Sequence, residues 1–354
     1  MLNNIQVLRG IAALLVVWVH TQVLITANFI PATLRLAGFG GVDLFFVISG
    51  FIIVHSTAKG MPWLTFAKRR FFRIAPLYYI FTGLVILICI FLPSVFNSTQ
   101  LNFATIAKSL LFVPFEKSLN HLYPIYSLGW TLNYEMFFYF LFTLALIAFN
   151  DARTRVAVLV AVMVGLTFVG MFIEQPGSWG VVTFFYTRPI ILEFVFGMVI
   201  AATRDRLQTQ TRVSYYVLLS VGLIGFLLSG LIFPTMELAV LPETNTVLRY
   251  GVPAAMIVLG AVGLEQCHQR VGNSVLRLIG DASYSIYLSH FLVVAVLGLA
   301  VARIAHTGWA TLLCGLVVMA IATIFGVITY RCVEQPLTDS TRLPASGRKP
   351  LVPG

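Results

Sequence analysis

Long apolar runs broken by short basic turns set the pattern of this chain. An α-helix rises 1.5 Å per residue, so about 20 apolar residues cross a hydrocarbon core of about 30 Å. That ruler predicts ten spans, near residues 5–25, 40–57, 74–93, 126–149, 156–173, 188–203, 213–233, 246–264, 283–304 and 308–330. The sixth is short for a full crossing and reads as extended or tilted. Between the third and fourth, FATIAKSLLFVPF spaces its apolar residues as an amphipathic helix does, and reads as interfacial or re-entrant. The predicted fold class is an all-α, polytopic membrane helix bundle of about ten transmembrane helices. One membrane domain covers 1–337, and the polar segment 338–354 reads as a disordered tail. No internal repeat, Rossmann glycine pattern or P-loop interrupts the pattern.

Composition agrees with this reading. Of 354 residues, 59% are hydrophobic and 10% are charged, far too little charge for a soluble surface. The first apolar run has the look of a signal peptide. No small-x-small cleavage site follows it and more spans come after, so it reads as a retained helix. A net charge of +10 would suit nucleic acid, but the basic residues sit in short loops between spans, where the positive-inside rule expects them. Nucleic acid is therefore excluded as a partner, and membrane lipid is required.

One set of loops, with the C-terminal tail, holds sixteen basic residues: Lys59, Lys68, Arg69, Arg70, Arg73, Arg153, Arg155, Arg204, Arg206, Arg212, Arg270, Arg277, Arg331, Arg342, Arg348 and Lys349. The opposite set holds six: Arg35, Lys108, Lys117, Arg188, Arg249 and Arg303. Both termini are thus expected in the cytoplasm, which needs an even number of spans. Cys89, Cys267, Cys314 and Cys332 form no C-x-x-C and have no histidine at zinc spacing, so no metal site is expected.

Several ionisable groups lie inside the spans, where they are costly. Arg9 and His20 are 11 residues apart, which puts them on one helical face about 16 Å apart along the axis. Arg9 falls at the cytoplasmic end and reads either as a functional cation or as a snorkelling flank. His20 falls in the outer half, as a functional imidazole or a histidine bonded to a backbone carbonyl. In GGVDLFFVISGFII, Asp43 lies at a depth near His20, where it could orient the ring or simply cap the helix. Arg70 and Arg73, in FAKRRFFRIAP, sit on neighbouring helical faces and suit phosphate binding, topology setting or lipid headgroups. Glu135, in YSLGWTLNYEMFFYF, is about 13 Å from the outer start of its span and needs a partner, for which Arg9, His20 and Arg188 are candidates. Tyr139 is placed to donate to it at i+4. In GDASYSIYLSH, Ser283, Tyr287 and His290 share a face and could line a cavity in the cytoplasmic half or bond between helices. In YRCVEQPL, Glu334 before Pro336 reads as a helix stop with an ion pair to a basic loop. By depth, His20, Asp43 and Glu135 gather toward the outer half. Arg70, Arg73, Ser283, Tyr287 and His290 gather toward the cytoplasm.

Read in order, these stretches resemble the acyltransferase 3 family of membrane O-acyltransferases. The matching pieces are R-x10-H (Arg9, His20), GGVDLFFVISGFII, R-x-x-R (Arg70, Arg73), SLGWTLNYEMFFY, GDASYSIYLSH and VEQPL, spread over about residues 5–337. The resemblance implies a bacterial inner-membrane protein that moves an acyl group, usually acetyl, from cytoplasmic acyl-coenzyme A to a sugar hydroxyl of an exported or surface glycan. With no esterase-like domain fused at the C-terminus, the chain is most similar to the stand-alone type linked to exopolysaccharide modification, with polysaccharide-synthesis machinery as a partner.

On this resemblance His20 would be general base or nucleophile, oriented by Glu135 or Asp43. Arg9 would hold polar donor atoms or the oxyanion. Arg70 and Arg73, with Tyr287 and His290, would bind acetyl-coenzyme A as co-substrate. The donor is cytoplasmic whereas His20 reads as outer-half. Either the pantetheine arm threads inward through a cavity, or the first helix is displaced toward the midplane. On the residues alone, a transporter or glycan flippase fits the polar path equally well, and a non-catalytic component of a synthesis complex is a third reading. Transporters often show repeated halves and broken helix pairs, and the sequence signals neither.

Overall fold

The computed structural model describes residues 2–25, 30–91, 101–117, 122–173, 180–204, 211–232, 246–304 and 308–340. Among them every regular element is helical. In chain order these are α1 (Asn3–Thr21), α2 (Ala32–Ala37), α3 (Gly41–Thr57), α4 (Trp63–Phe91), α5 (Phe103–Leu110), α6 (Gly129–Ala148), α7 (Ala152–Gly170), α8 (Gly180–Tyr186) and α9 (Leu192–Ala202). There follow α10 (Arg212–Ile232), α11 (Val252–Gln266), α12 (Ser274–Asp281), α13 (Ser283–Ile304), α14 (Gly308–Thr329) and α15 (Gln335–Ser340). Among the described residues, nine helical segments are long and apolar enough to cross a membrane, or ten if α8 and α9 form one span bent by 48°. The chain is a multi-pass membrane helix bundle. Large apolar side chains such as Ile90, Phe140, Ile147, Phe168 and Val217 are exposed, which lipid tolerates and water would not. The proposed tail lies outside the described residues from 341 onward.

Three elements depart from the apolar ruler. α4 starts at Trp63, so the basic stretch expected as a connection is its first turns, with Pro76 inside the helix. The ruler counts only residues that tolerate hydrocarbon, whereas a helix persists where Phe66 and Ile74 still have a core to enter. Pro336 likewise does not stop its helix. The chain passes from α14 through a π-helical turn, Tyr330–Glu334, into α15. The sixth span is broken at Pro189. Arg188 holds the break: its guanidinium donates to the carbonyls of Gly170 at 2.7 Å, Ile173 at 3.0 Å and Phe184 at 3.0 Å. These carbonyls lie at or just beyond the C-terminal ends of α7 and α8, where a cation is favoured. The interfacial helix expected in FATIAKSLLFVPF is α5, closed by a capping box between Asn102 and Thr105.

α3 is the centre of the bundle, packed on α1, α9 and α11. Its closest approach is to α9. A Cβ on Gly50 would collide with the Phe194 carbonyl, and one on Gly197 with the Val47 carbonyl. Two glycines facing opposite backbones let the helices meet without intervening side chains. Gly197→Val is expected to cost at least about 2–3 kcal/mol, because backbone cannot yield as a side chain does. Thermal melting in detergent checks this; an unchanged midpoint would contradict the close-packed seam.

Candidate functional site

A cavity of about 650 Å³ enters the bundle from the end that carries Arg69 and Arg70. Its walls come from α1, α3, α4, α6, α12 and α13, with Tyr330 and Thr338 from the last helical stretch. Apolar surface from Phe45, Phe46, Ile48, Ile52 and Leu132 alternates with Ser49, Thr131, Glu135, Tyr139 and Tyr287. Four guanidinium groups, Arg9, Arg69, Arg70 and Arg73, face two carboxylates, Glu135 and Asp281, so the entrance favours anions.

Arg9, Arg70, Arg73, Glu135 and Asp281 are each held by a bonded partner. Arg73 pairs with Glu334, which is 2% exposed and whose other oxygen accepts from Ser285 Oγ at 2.5 Å. Arg73 also lies 5.8 Å from the ring of Tyr284. Arg70 donates to Ser56 Oγ at 3.1 Å and lies 5.6 Å from the rings of both Phe66 and Tyr139. Tyr139 donates to Glu135, which also accepts from Ser49 Oγ at 3.2 Å. Arg9 donates to Gln6 Oε1 at 3.3 Å, and Gln6 donates in turn to Asp281.

Tyr287 closes the inner end, bonded to Thr131 Oγ1 at 2.7 Å and to the Leu128 carbonyl at 2.9 Å. Behind it stand two histidines. The Tyr287 and His290 rings are 6.0 Å apart, and the His290 and His20 rings 4.9 Å apart. His290 is fully buried and His20 partly so. His20 Nδ1 lies 2.9 Å from the Val16 carbonyl and 3.3 Å from His290 Nε2, while His290 Nδ1 lies 3.2 Å from the Ile286 carbonyl. An imidazole one residue layer beyond an anion-favouring cavity is equipped for proton transfer or nucleophilic attack on a ligand that enters from the basic end.

Comparison with known proteins supplies the context. Residues 2–331 match the acyltransferase 3 family, described as an acyltransferase domain. The chain belongs to the acyltransferase 3 family. It is 34% identical over 307 residues to the exopolysaccharide production protein ExoZ of Rhizobium meliloti (strain 1021), covering 85% of this chain and 89% of that protein. It is also similar to protein 2 in the picA locus of Rhizobium radiobacter, 33% identical over 148 residues, covering 36% of this chain and 74% of that protein. No solved structure gives a significant match.

In this acyltransferase 3 protein the sequence-expected residues form two groups, divided differently from the depth reading. Glu135 belongs with Arg9, Arg70 and Arg73 in the cavity. His290 belongs with His20. Equal depth had been taken to mean equal distance from a surface, but α13 starts inside the bundle. Gly280 backs onto Gln6 and Gly10, and Ala282 and Ile286 pack with Ala13 and Val17. His290 is therefore level with His20 although it is seven residues into its helix.

The expected carboxylate partner of His20 is corrected. Among the described residues its bonded neighbours are Val16 and His290, with the Phe291 ring at 5.9 Å. Asp43 turns instead toward Glu193 and Arg249, all three buried. Asp43 does not cap α3 either; Gly40 holds that position. Arg188 serves the helix break and not Glu135. The sequence reading missed Glu193, although an ionisable group in ILEFVFG carried the same signal as Glu135. It also missed as cavity residues Gln6, an uncharged residue inside the first window, and Arg69 and Asp281, which lie outside the apolar windows.

Proposed function

We propose that this protein is a membrane O-acyltransferase that passes an acyl group, acetyl in the simplest case, from acyl-coenzyme A to a sugar hydroxyl of an exported or surface polysaccharide. The observation that carries this reading is the arginine-rimmed cavity whose inner end lies one residue layer from His20. Its volume falls within the roughly 300–1,000 Å³ common for small-molecule sites. The positive-inside bias supports a cytoplasmic arginine end, which for a bacterial protein means the inner membrane. The name of the Rhizobium meliloti relative supports an exopolysaccharide as acceptor and synthesis machinery as partner.

Arg69, Arg70 and Arg73 hold the donor's phosphates in this reading. The pantetheine arm runs along Phe45, Phe46 and Leu132, with Ser49 and Glu135 available to its amides. Phe45 and Tyr287 pack edge to face at 6.2 Å across the inner end, so the thioester reaches His20 only when this pair parts. Arg9 is about 16 Å from His20 along α1, so it contacts the donor and not the reacting carbonyl. His20 takes the proton from the sugar hydroxyl as its oxygen attacks the thioester carbon. The C–S bond breaks, the ester forms, and the imidazolium returns the proton to the thiolate.

Chemical analysis of the polysaccharide tests this in cells. Deleting the gene is expected to remove O-acyl groups from the glycan, and His20→Ala is expected to do the same. If deletion stops glycan assembly while His20→Ala leaves acylation intact, the protein is a non-catalytic component instead.

A further inference from the structure

We infer that His290 is a positioning residue that, together with the Val16 carbonyl, fixes the tautomer of His20 and so leaves His20 Nε2 as the free basic nitrogen. This rests on reading His20 as the base. Carbonyl oxygens only accept, so a neutral imidazole nitrogen facing one carries the proton. His290 Nδ1 faces the Ile286 carbonyl at 3.2 Å and is therefore N–H. Its Nε2 is then an acceptor, and it lies 3.3 Å from His20 Nδ1. His20 Nδ1 also faces the Val16 carbonyl at 2.9 Å, so it too carries its proton. The two rings are thereby complementary: one donor, His20 Nδ1–H, is shared between the Val16 oxygen and His290 Nε2.

Both carbonyls are already committed. Each sits four residues before its histidine in a continuous helix and accepts that residue's backbone N–H. Among the described residues, His290 Nε2 is thus the acceptor at His20 with no other donor. It plays the part that a carboxylate plays in hydrolase triads, without adding a charge to the bundle. When His20 takes a proton, both of its Nδ1 acceptors stabilise the imidazolium. Neither Asp43 nor Glu135 is bonded to the ring, so the orienting role left open by the carboxylates falls to a second imidazole.

Nitrogen NMR of 15N-histidine-labelled protein in nanodiscs tests this, at a pH above the ordinary imidazole value of about 6.5. The His20 resonances are identified by their loss in His20→Gln. Wild type is expected to show His20 protonated at Nδ1 and bare at Nε2. His290→Leu keeps the volume but removes the acceptor. It is expected to mix the tautomers and lower turnover at least about tenfold, with donor KM unchanged. His290→Gln, whose carbonyl can occupy the Nε2 position, is expected to restore both.

A wild-type His20 protonated at Nε2 overturns the inference, even if His290→Leu fails to fold. Lost turnover in His290→Leu without a change in the His20 spectrum also overturns it, because packing alone would do that. If wild type turns over no donor, the enzyme reading fails, while the spectrum still decides the tautomer.

Discussion

His20→Ala is expected to abolish acyl transfer while leaving the bundle folded. A positioned general base contributes about a hundred- to ten-thousandfold, and among the described residues no second imidazole is free to replace it. His290 is fully buried, with Nδ1 held by Ile286 and Nε2 turned to His20. The structural cost is small because His20 is only partly buried and its ring bonds only a carbonyl of its own helix and His290 among the described residues. The measurement is turnover beside thermal melting in detergent. A variant that melts like wild type and turns over at a background rate fits. A variant that retains turnover removes His20 from the chemistry.

The second large effect concerns Arg73 and Glu334. Glu334 is 2% exposed and Arg73 27% exposed, so Arg73→Ala strands a carboxylate in the bundle. Removing one partner of a fully buried pair costs about 3–5 kcal/mol. Partial exposure of Arg73 brings the expected loss to about 2–3 kcal/mol, seen as a lower melting temperature. Replacing both residues by leucine is expected to recover most of that loss, since no unpaired charge remains. It should not recover donor binding. Arg70→Ala behaves differently. Among the described residues Arg70 is tied to Ser56 and to ring faces, so stability changes little while donor KM rises. Equal melting of Arg73→Ala and Arg70→Ala would contradict the division between a donor-binding arginine that also holds the bundle and one that only binds.

The bundle was legible because hydrocarbon imposes a length and a composition that no other environment does. Nine of the segments are recognisable from residues alone, and the motifs that carry the family resemblance lie where the cavity and the histidines are. What sequence could not give was relative depth. His290 seemed cytoplasmic because α13 was measured from a surface, whereas α12 sinks its start against Gln6 and Gly10. Glu135 seemed to belong with His20, yet about 13 Å from one face of a core about 30 Å thick is close to the middle, within reach of a cavity from the other face. The partner of Asp43 was invisible for a related reason. Glu193 and Arg249 come from elements far along the chain, and only the helix order of the bundle brings them together. The break at Pro189 needed the three carbonyls that Arg188 reaches, two of them from α7 and the residues just after it.

The central claim is that an acyl thioester entering at the arginine end is cleaved at His20. It is tested most directly by release of free coenzyme A from acetyl-coenzyme A by purified protein in nanodiscs, with extracted polysaccharide present as acceptor. Wild type is expected to release thiol and to transfer label from the acetyl group to the glycan in equal amounts, and His20→Ala to do neither. Absence of thiol release from folded wild-type protein, with acceptor supplied, would contradict the claim and favour a glycan transporter.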